Sequence, residues 1–444
     1  MICPIDFRYG REEIKKIFSE ESRLSYWLKV EIALAKAHAF YGNIPKEAAD
    51  EISSKAKHVK LERVKEIEKV IRHDVMAMVI ALAEKCKYGK YVHLGATSYD
   101  IVDTANALQI IDALDIIKKQ IKELIKNFSI LAEKYKDTVM IGRTHGQHAL
   151  PITFGLKMAV YLAEMHRHLV RLERIKEEIG VGKMSGAVGT GASFGKKFFD
   201  IQNFVMKELG LKAETPSTQI VGRDRYIELI SFLANVSASL EKIATEIRNL
   251  QRNEIAEVEE YFEEKQVGSS TMPHKRNPIT CEQICGIARI IRSNLLPAWE
   301  NAIQWHERDL CNSSAERFII PHTLILTDWI LYKMNYVMKN LRVYPENMLK
   351  NIEMTKGLIF AEAIMIKLVE KGMDRQEAHK LLRKCANEAR EKNLHLKEIL
   401  KEKEEIMKLL KDEELEEMFD AKNYIGKAIE LVDITLNTIK EHEK

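Results

Sequence analysis

Between Asp100 and Ile141 the chain has no glycine or proline, and apolar residues fall at Leu114, Ile117, Ile121, Leu124, Phe128, Leu131 and Tyr135. Alternating steps of three and four make a heptad stripe, which predicts an amphipathic helix that buries one narrow face. Arg223–Val267 repeats the pattern through Leu229, Leu233, Val236, Leu240, Ile243, Ile247 and Leu250. Leu156–Ile179 carries a shorter version through Leu162, Met165, Leu169 and Leu172. Such rods reach roughly 60 Å at 1.5 Å per residue, longer than an ordinary domain is wide. They must bury their stripes against equally long partners, within a bundle or between subunits.

Strand-like alternation is hard to find, so the expected class is all-α, with a central long-helix bundle. Residues 1–97 carry shorter helices and a charge run from Lys55 to Arg72. Residues 98–345 hold the rods, the last of which is expected to end at Pro345. Residues 346–444 are helical and charge-rich from Met373 to Ile425. An extended coiled-coil scaffold with no chemistry would show the same rods.

Composition narrows the function classes. Lys plus Arg is 69 and Asp plus Glu is 66, a net charge of +3, which argues against a general nucleic-acid or membrane-surface binder. The longest apolar run, Val75–Ala83, is far short of a membrane span. MICPIDFRYG lacks the layout of a signal peptide. Among the 6 cysteines, Cys281 and Cys285 stand close without a second Cys/His pair, a poor zinc pattern. No metal is expected, and a reducing, cytoplasmic setting is.

Three polar breaks have no place in a mere scaffold: HLGATSYD from His93, GRTHGQHALPITFG around His145, and GSSTMPHKRNP from Gly268 to Pro278. A fourth, Gly180–Gly195, holds six glycines without the spacing of a phosphate loop, and reads as a flexible connection. In the third break, Gly268 is expected to end the preceding helix, and Pro273 and Pro278 restrain the loop as a lid that closes in one shape. Ser269 and Ser270 bring hydroxyls; His274, Lys275 and Arg276 bring donors; Asn277 brings an amide; Glu282 follows on the next helix. Lysine, asparagine and small hydroxyls together suit an oxyanion, such as a carboxylate that gains charge in a transition state.

GSSTMPHKRNP resembles the hallmark loop GSSxMPxKxNP of the fumarase/aspartase superfamily, and the other two breaks resemble that superfamily's remaining signature regions, in order. The resemblance implies elimination across a C–N or C–O bond with release of fumarate, no cofactor, and a homotetramer whose active sites are each assembled from three subunits. MPHKRNP departs from the fumarase-like MPGKVNP. It is similar to the members acting on a succinylated purine nucleotide, and to the carboxymuconate cycloisomerases. The nucleotide-type members carry counterparts of Arg8-Tyr9, of Arg72-His73-Asp74, of Gln219 in TQIVGRD, and of Arg308, Ser313, Ser314 and Arg317 in WHERDLCNSSAER.

Roles follow from the resemblance. His145 is implied as the acid toward the leaving nitrogen, a task that suits an imidazole near neutral pH. For the base, residue chemistry alone favours a histidine, because a serine hydroxyl is a feeble acid. The resemblance points instead to Ser269, which serves only if closure excludes water and Lys275 with backbone N–H groups stabilises its alkoxide. Lys275 and Asn277, with Ser270 and Arg276 of the same loop, are implied around the charged carboxylate, and Glu282 orients His145 or Lys275. Arg72, His73, Asp74 and His93 are implied as substrate contacts, with the histidines near phosphate and carboxylate. Thr97 and Ser98 hydrogen-bond the succinyl carboxylate, Gln219 does the same or binds the purine base, Arg8, Tyr9, Arg308, Ser313 and Arg317 hold a 5′-phosphate, and Ser314 is a further substrate contact. The alternatives are another superfamily enzyme such as the cycloisomerase, or a non-catalytic protein on the same scaffold.

Overall fold

A computed structural model describes residues 2–263, 268 and 270–442. Helices dominate, and among the described residues the strands form only three two-stranded pairs. The chain divides into two compact units. One comprises Met1–Ile121, His168–Glu241 and Ile284–Lys333; the other comprises Lys122–Arg167, Lys242–Gln283 and Met334–Lys444. The stripes form the helices Ser98–Lys134, Phe154–Ile179 and Asp224–Leu250, joined by a fourth long helix, Cys311–Asn340. Leu114, Ile117, Ile121, Leu124 and Phe128 are all fully buried.

The rods are shorter than the sequence suggests. The first stops at Lys134, and Val139–Thr144 pairs antiparallel with Gln147–Thr153. Val139, Met140 and Ile141 are consecutive and all buried, so they show no alternation to read as a strand. The Asp224 rod stops at Leu250, where the stripe fails: the next apolar residues are Ile255 and Val258, and Val258–Glu259 pairs with Arg342–Val343. Gly268 is therefore not the residue that ends this helix. The last rod ends at Asn340, and Pro345 opens the next helix at its first turn, where a missing N–H costs nothing.

In the first unit, apolar residues of the Glu20–Phe40, Lys46–Ala56 and Asp74–Ala83 helices pack with the start of the Ser98 helix and with Phe198–Leu209. Gly180–Gly186 is buried here rather than a loose connection. Val181–Gly182 pairs with Lys212–Ala213, and a Cβ at Gly182 would lie 2.8 Å from the Thr104 side chain. In the second unit, Val139 and Ile141 share a core with Ile352, Phe360, Leu382 and Leu396. All six cysteines are free, and Cys281 and Cys285 are buried. No helix among the described residues is long and apolar enough to cross a membrane.

Candidate active site

The first unit encloses a cavity of about 710 Å³. Its walls include Arg72, His73, Asp74, Thr97, Ser98, Gln219, Arg308, Ser313, Ser314 and Arg317, residues scattered over 246 positions of sequence from 72 to 317. Local rules aim each group. Arg72 closes the Leu61–Ile71 helix in the left-handed region (φ 55°), and His73 caps the next helix by accepting from the Met76 amide at 3.3 Å. The two caps turn the chain sharply and place Arg72, His73 and Asp74 together at the corner. Asp74 Oδ2 then accepts from Arg317 Nη2 at 2.7 Å.

Thr97 and Ser98 stand at the start of the longest helix. Asp100, three residues after Thr97, accepts from the Thr97 amide at 2.8 Å, one half of a capping box. The same fully buried carboxylate meets the equally buried Lys183 ammonium at 2.5 Å and the Ser185 amide at 3.0 Å. The glycine-rich segment thus anchors the turn that presents the two hydroxyls. His93, at φ 64°, lies in the same unit with Nδ1 2.5 Å from the buried Glu31 carboxylate. Burial works against its charge, but Glu31 and Asp100 outweigh it and hold the imidazole above its ordinary pKa.

Arg308 is the most telling residue. Its Nη1 donates to Gln219 Oε1 at 2.8 Å, and its guanidinium carbon lies 3.5 Å from the centre of the Tyr99 ring. Its Nε and Nη2 are buried and have no hydrogen-bond partner among the described residues. Arg11, Arg223 and Arg225 fill that same Nε–Nη2 fork with the carboxylates of Asp328, Glu316 and Glu214. Arg308 lines the cavity, and a buried, unpaired fork at its wall fits an oxyanion that takes two parallel hydrogen bonds. Behind it, the buried Arg223 bridges Asp103 and Glu316. Burial raises the Glu316 carboxyl above its ordinary range despite Arg223.

Arg8 is exposed, and Tyr9 rests edge-on against Trp329 with ring centres 5.1 Å apart. Arg11 pins this segment through its fork on the buried Asp328.

The second unit holds the other named residues. His145 and Gly146 form the two-residue turn between paired Thr144 and Gln147. Both have positive φ, 53° and 74°, as a type I′ turn requires. The imidazole is thereby exposed at the hairpin tip, on a backbone that a non-glycine residue rarely adopts. In the signature loop, Asn277 Nδ2 donates to the Gly268 carbonyl at 3.0 Å and Arg276 Nη1 reaches Glu259 at 3.1 Å. Ser270 and Lys275 are exposed, and Glu282 is exposed in the first turn of Ile279–Ser293. Ser269 lies outside the described residues.

Sequence reasoning passed over Tyr99, Glu31, Asp100 and Lys183. Tyr99 and Asp100 stand inside HLGATSYD, so their adjacency to Thr97 and Ser98 was the available signal.

The fold and the family it matches are those of a lyase. A family model described as lyase matches residues 7–292, and a second, described as adenylosuccinate lyase C-terminus, matches residues 357–434. A fumarate lyase from Mesorhizobium sp. BNC1 superposes with a TM-score of 0.90 at 35% identity, covering 96% of this chain and 98% of that one. The 3-carboxy-cis,cis-muconate lactonizing enzyme from Pseudomonas putida superposes at 0.91 with 31% identity, covering 99% of both chains. Curated relatives are more similar in sequence. The adenylosuccinate lyase of Pyrococcus abyssi is 55% identical over 446 residues, covering 100% of this chain and 99% of its own. That of Methanocaldococcus jannaschii is 51% identical, covering 99% and 96%. The chain belongs to the adenylosuccinate lyase family.

Proposed function

We propose that this chain releases fumarate from adenylosuccinate, leaving AMP, and from the succinylated imidazole carboxamide ribotide, leaving AICAR. A base removes the proton from the carbon beside one carboxylate of the succinyl group, and the electron pair delocalises into that carboxylate. The pair then forms the double bond of fumarate as the C–N bond breaks, and an acid protonates the departing nitrogen. The carboxylate is the only electron sink the reaction needs. Ser269 serves as the base and His145 as the acid. Lys275 and Asn277 hold the carboxylate as it gains charge, and Glu282 orients its neighbours. Thr97, Ser98 and Gln219 bind the succinyl end; Arg8, Tyr9, Arg308, Ser313 and Arg317 bind the 5′-phosphate.

The observation that carries this reading is the empty Nε–Nη2 fork of Arg308 in the cavity that Ser313 and Arg317 also line. The heptad stripes are satisfied within the chain, but exposed Leu296, Trp299, Ile303 and Phe318 call for a partner surface and support a homotetramer with active sites shared between chains.

The test compares kcat/KM for adenylosuccinate and for its dephosphorylated nucleoside. Arg308→Leu leaves a phosphate underpaired, at about 2 kcal/mol or roughly 30-fold for the nucleotide, and changes the nucleoside little. An equal loss on both compounds removes Arg308 from the phosphate site.

A further inference from the structure

We propose that Tyr99 is a positioning residue for Arg308: its ring fixes the plane of the guanidinium, so that the Nε–Nη2 fork is presented to the anion of the substrate. The proposal rests on the reading that this cavity takes a nucleotide phosphate.

Two constraints meet on this arginine. The Arg308 guanidinium carbon stands 3.5 Å from the Tyr99 ring centre, a direct face contact. Gln219 Oε1 takes Nη1 at 2.8 Å, which sets the rotation of the group within that plane. Nε and Nη2 are then left buried and without a partner among the described residues. Arg11 and Arg223 also lie near tyrosine rings, at 5.5 Å from Tyr332 and 4.9 Å from Tyr226, but their forks are held by protein carboxylates and wait for no ligand. A fork that must wait for a ligand loses more side-chain entropy on binding unless something holds it beforehand.

The platform is itself rigid. Tyr99 is 8% exposed and follows Ser98 in the first turn of the long helix. The Arg223 guanidinium carbon lies 5.9 Å from the same ring and is locked by Asp103 and Glu316. Tyr99 therefore links the hydroxyl pair of Thr97 and Ser98 to Arg308 through one buried ring.

The experiment measures kcat/KM for adenylosuccinate and for the dephosphorylated nucleoside with wild type, Arg308→Leu, Tyr99→Phe, Tyr99→Leu and the Tyr99→Leu/Arg308→Leu double variant. Tyr99→Leu is expected to lower the preference for the phosphorylated compound about tenfold, mostly through KM, with the nucleoside changed less than about twofold. Tyr99→Phe keeps the ring and should retain most of the preference. In the Arg308→Leu background, Tyr99→Leu should cost nothing further in phosphate preference. Tyr99→Met, of similar bulk and without a planar face, repeats the test should the leucine variant not fold. Equal losses on both compounds, full additivity in the double variant, or a Tyr99→Phe loss as large as that of Arg308→Leu would overturn the proposal. If Arg308→Leu lowers both compounds by the same factor, Arg308 is not a phosphate ligand and the present proposal falls with that assignment. If Arg308→Leu lowers the nucleotide alone and Tyr99→Leu lowers both compounds equally, only the role of Tyr99 fails.

Discussion

Arg143 lies across Glu257 as a two-pronged ion pair, with Nη1 to Oε2 at 2.9 Å and Nη2 to Oε1 at 2.8 Å, two residues before His145. The Glu257 carboxylate is fully buried, and Asn351 adds a third donor to Oε1 at 2.8 Å. The hairpin whose tip carries His145 is thus tied down at its strand. Glu257→Ala leaves the Arg143 charge largely buried and unpaired, at a cost of about 3 kcal/mol. We expect a lower unfolding midpoint and a fall in kcat larger than any change in KM. An unchanged kcat in the folded variant would show that the clamp serves the fold alone.

His145→Gln and Ser269→Ala should each abolish turnover and leave folding and assembly intact. If one active site draws on several chains, mixing the two inactive proteins and exchanging subunits regains activity, because some hybrid sites contain neither lesion. Mixed oligomers that recover nothing would count against shared sites. Near-full activity in either single variant would remove that residue from its role.

The His93–Glu31 pair makes stability depend on pH in a definite direction. Because Glu31 holds the folded imidazole above its ordinary pKa of about 6.5, the contribution is fully present below that value. It is lost as pH rises through the raised folded value. In Glu31→Gln only burial and the more distant Asp100 remain, so the charged imidazole loses its partner. The gap in unfolding midpoint between wild type and Glu31→Gln should be widest in mildly acidic buffer and shrink toward alkaline pH. A gap that widens with pH would contradict this assignment, as would a His93 proton that titrates below the ordinary value in NMR.

The long helices were legible because a stripe repeating in threes and fours extends over many turns. Their ends were not. Val139–Ile141 buries every residue, which hides a strand, and His145-Gly146 forms a hairpin turn without the asparagine or aspartate that usually announces one. Site residues within short motifs were legible together: Arg72-His73-Asp74, Thr97-Ser98 and Arg308 to Arg317 do line one cavity. The supports of those residues come from far along the chain. Asp100 finds Lys183, and Arg223 finds Asp103 and Glu316, across separations of 83, 120 and 93 residues that no local pattern encodes. Tyr99 was hidden differently: a tyrosine after two hydroxyl residues reads as core until a guanidinium is found on its face.

The most direct test is to incubate the purified protein with adenylosuccinate and separate the products. The account predicts AMP and fumarate in equal amounts, formed at a rate that falls steeply when the 5′-phosphate is removed. Unchanged adenylosuccinate in the presence of folded protein that instead converts a carboxymuconate to its lactone would contradict it.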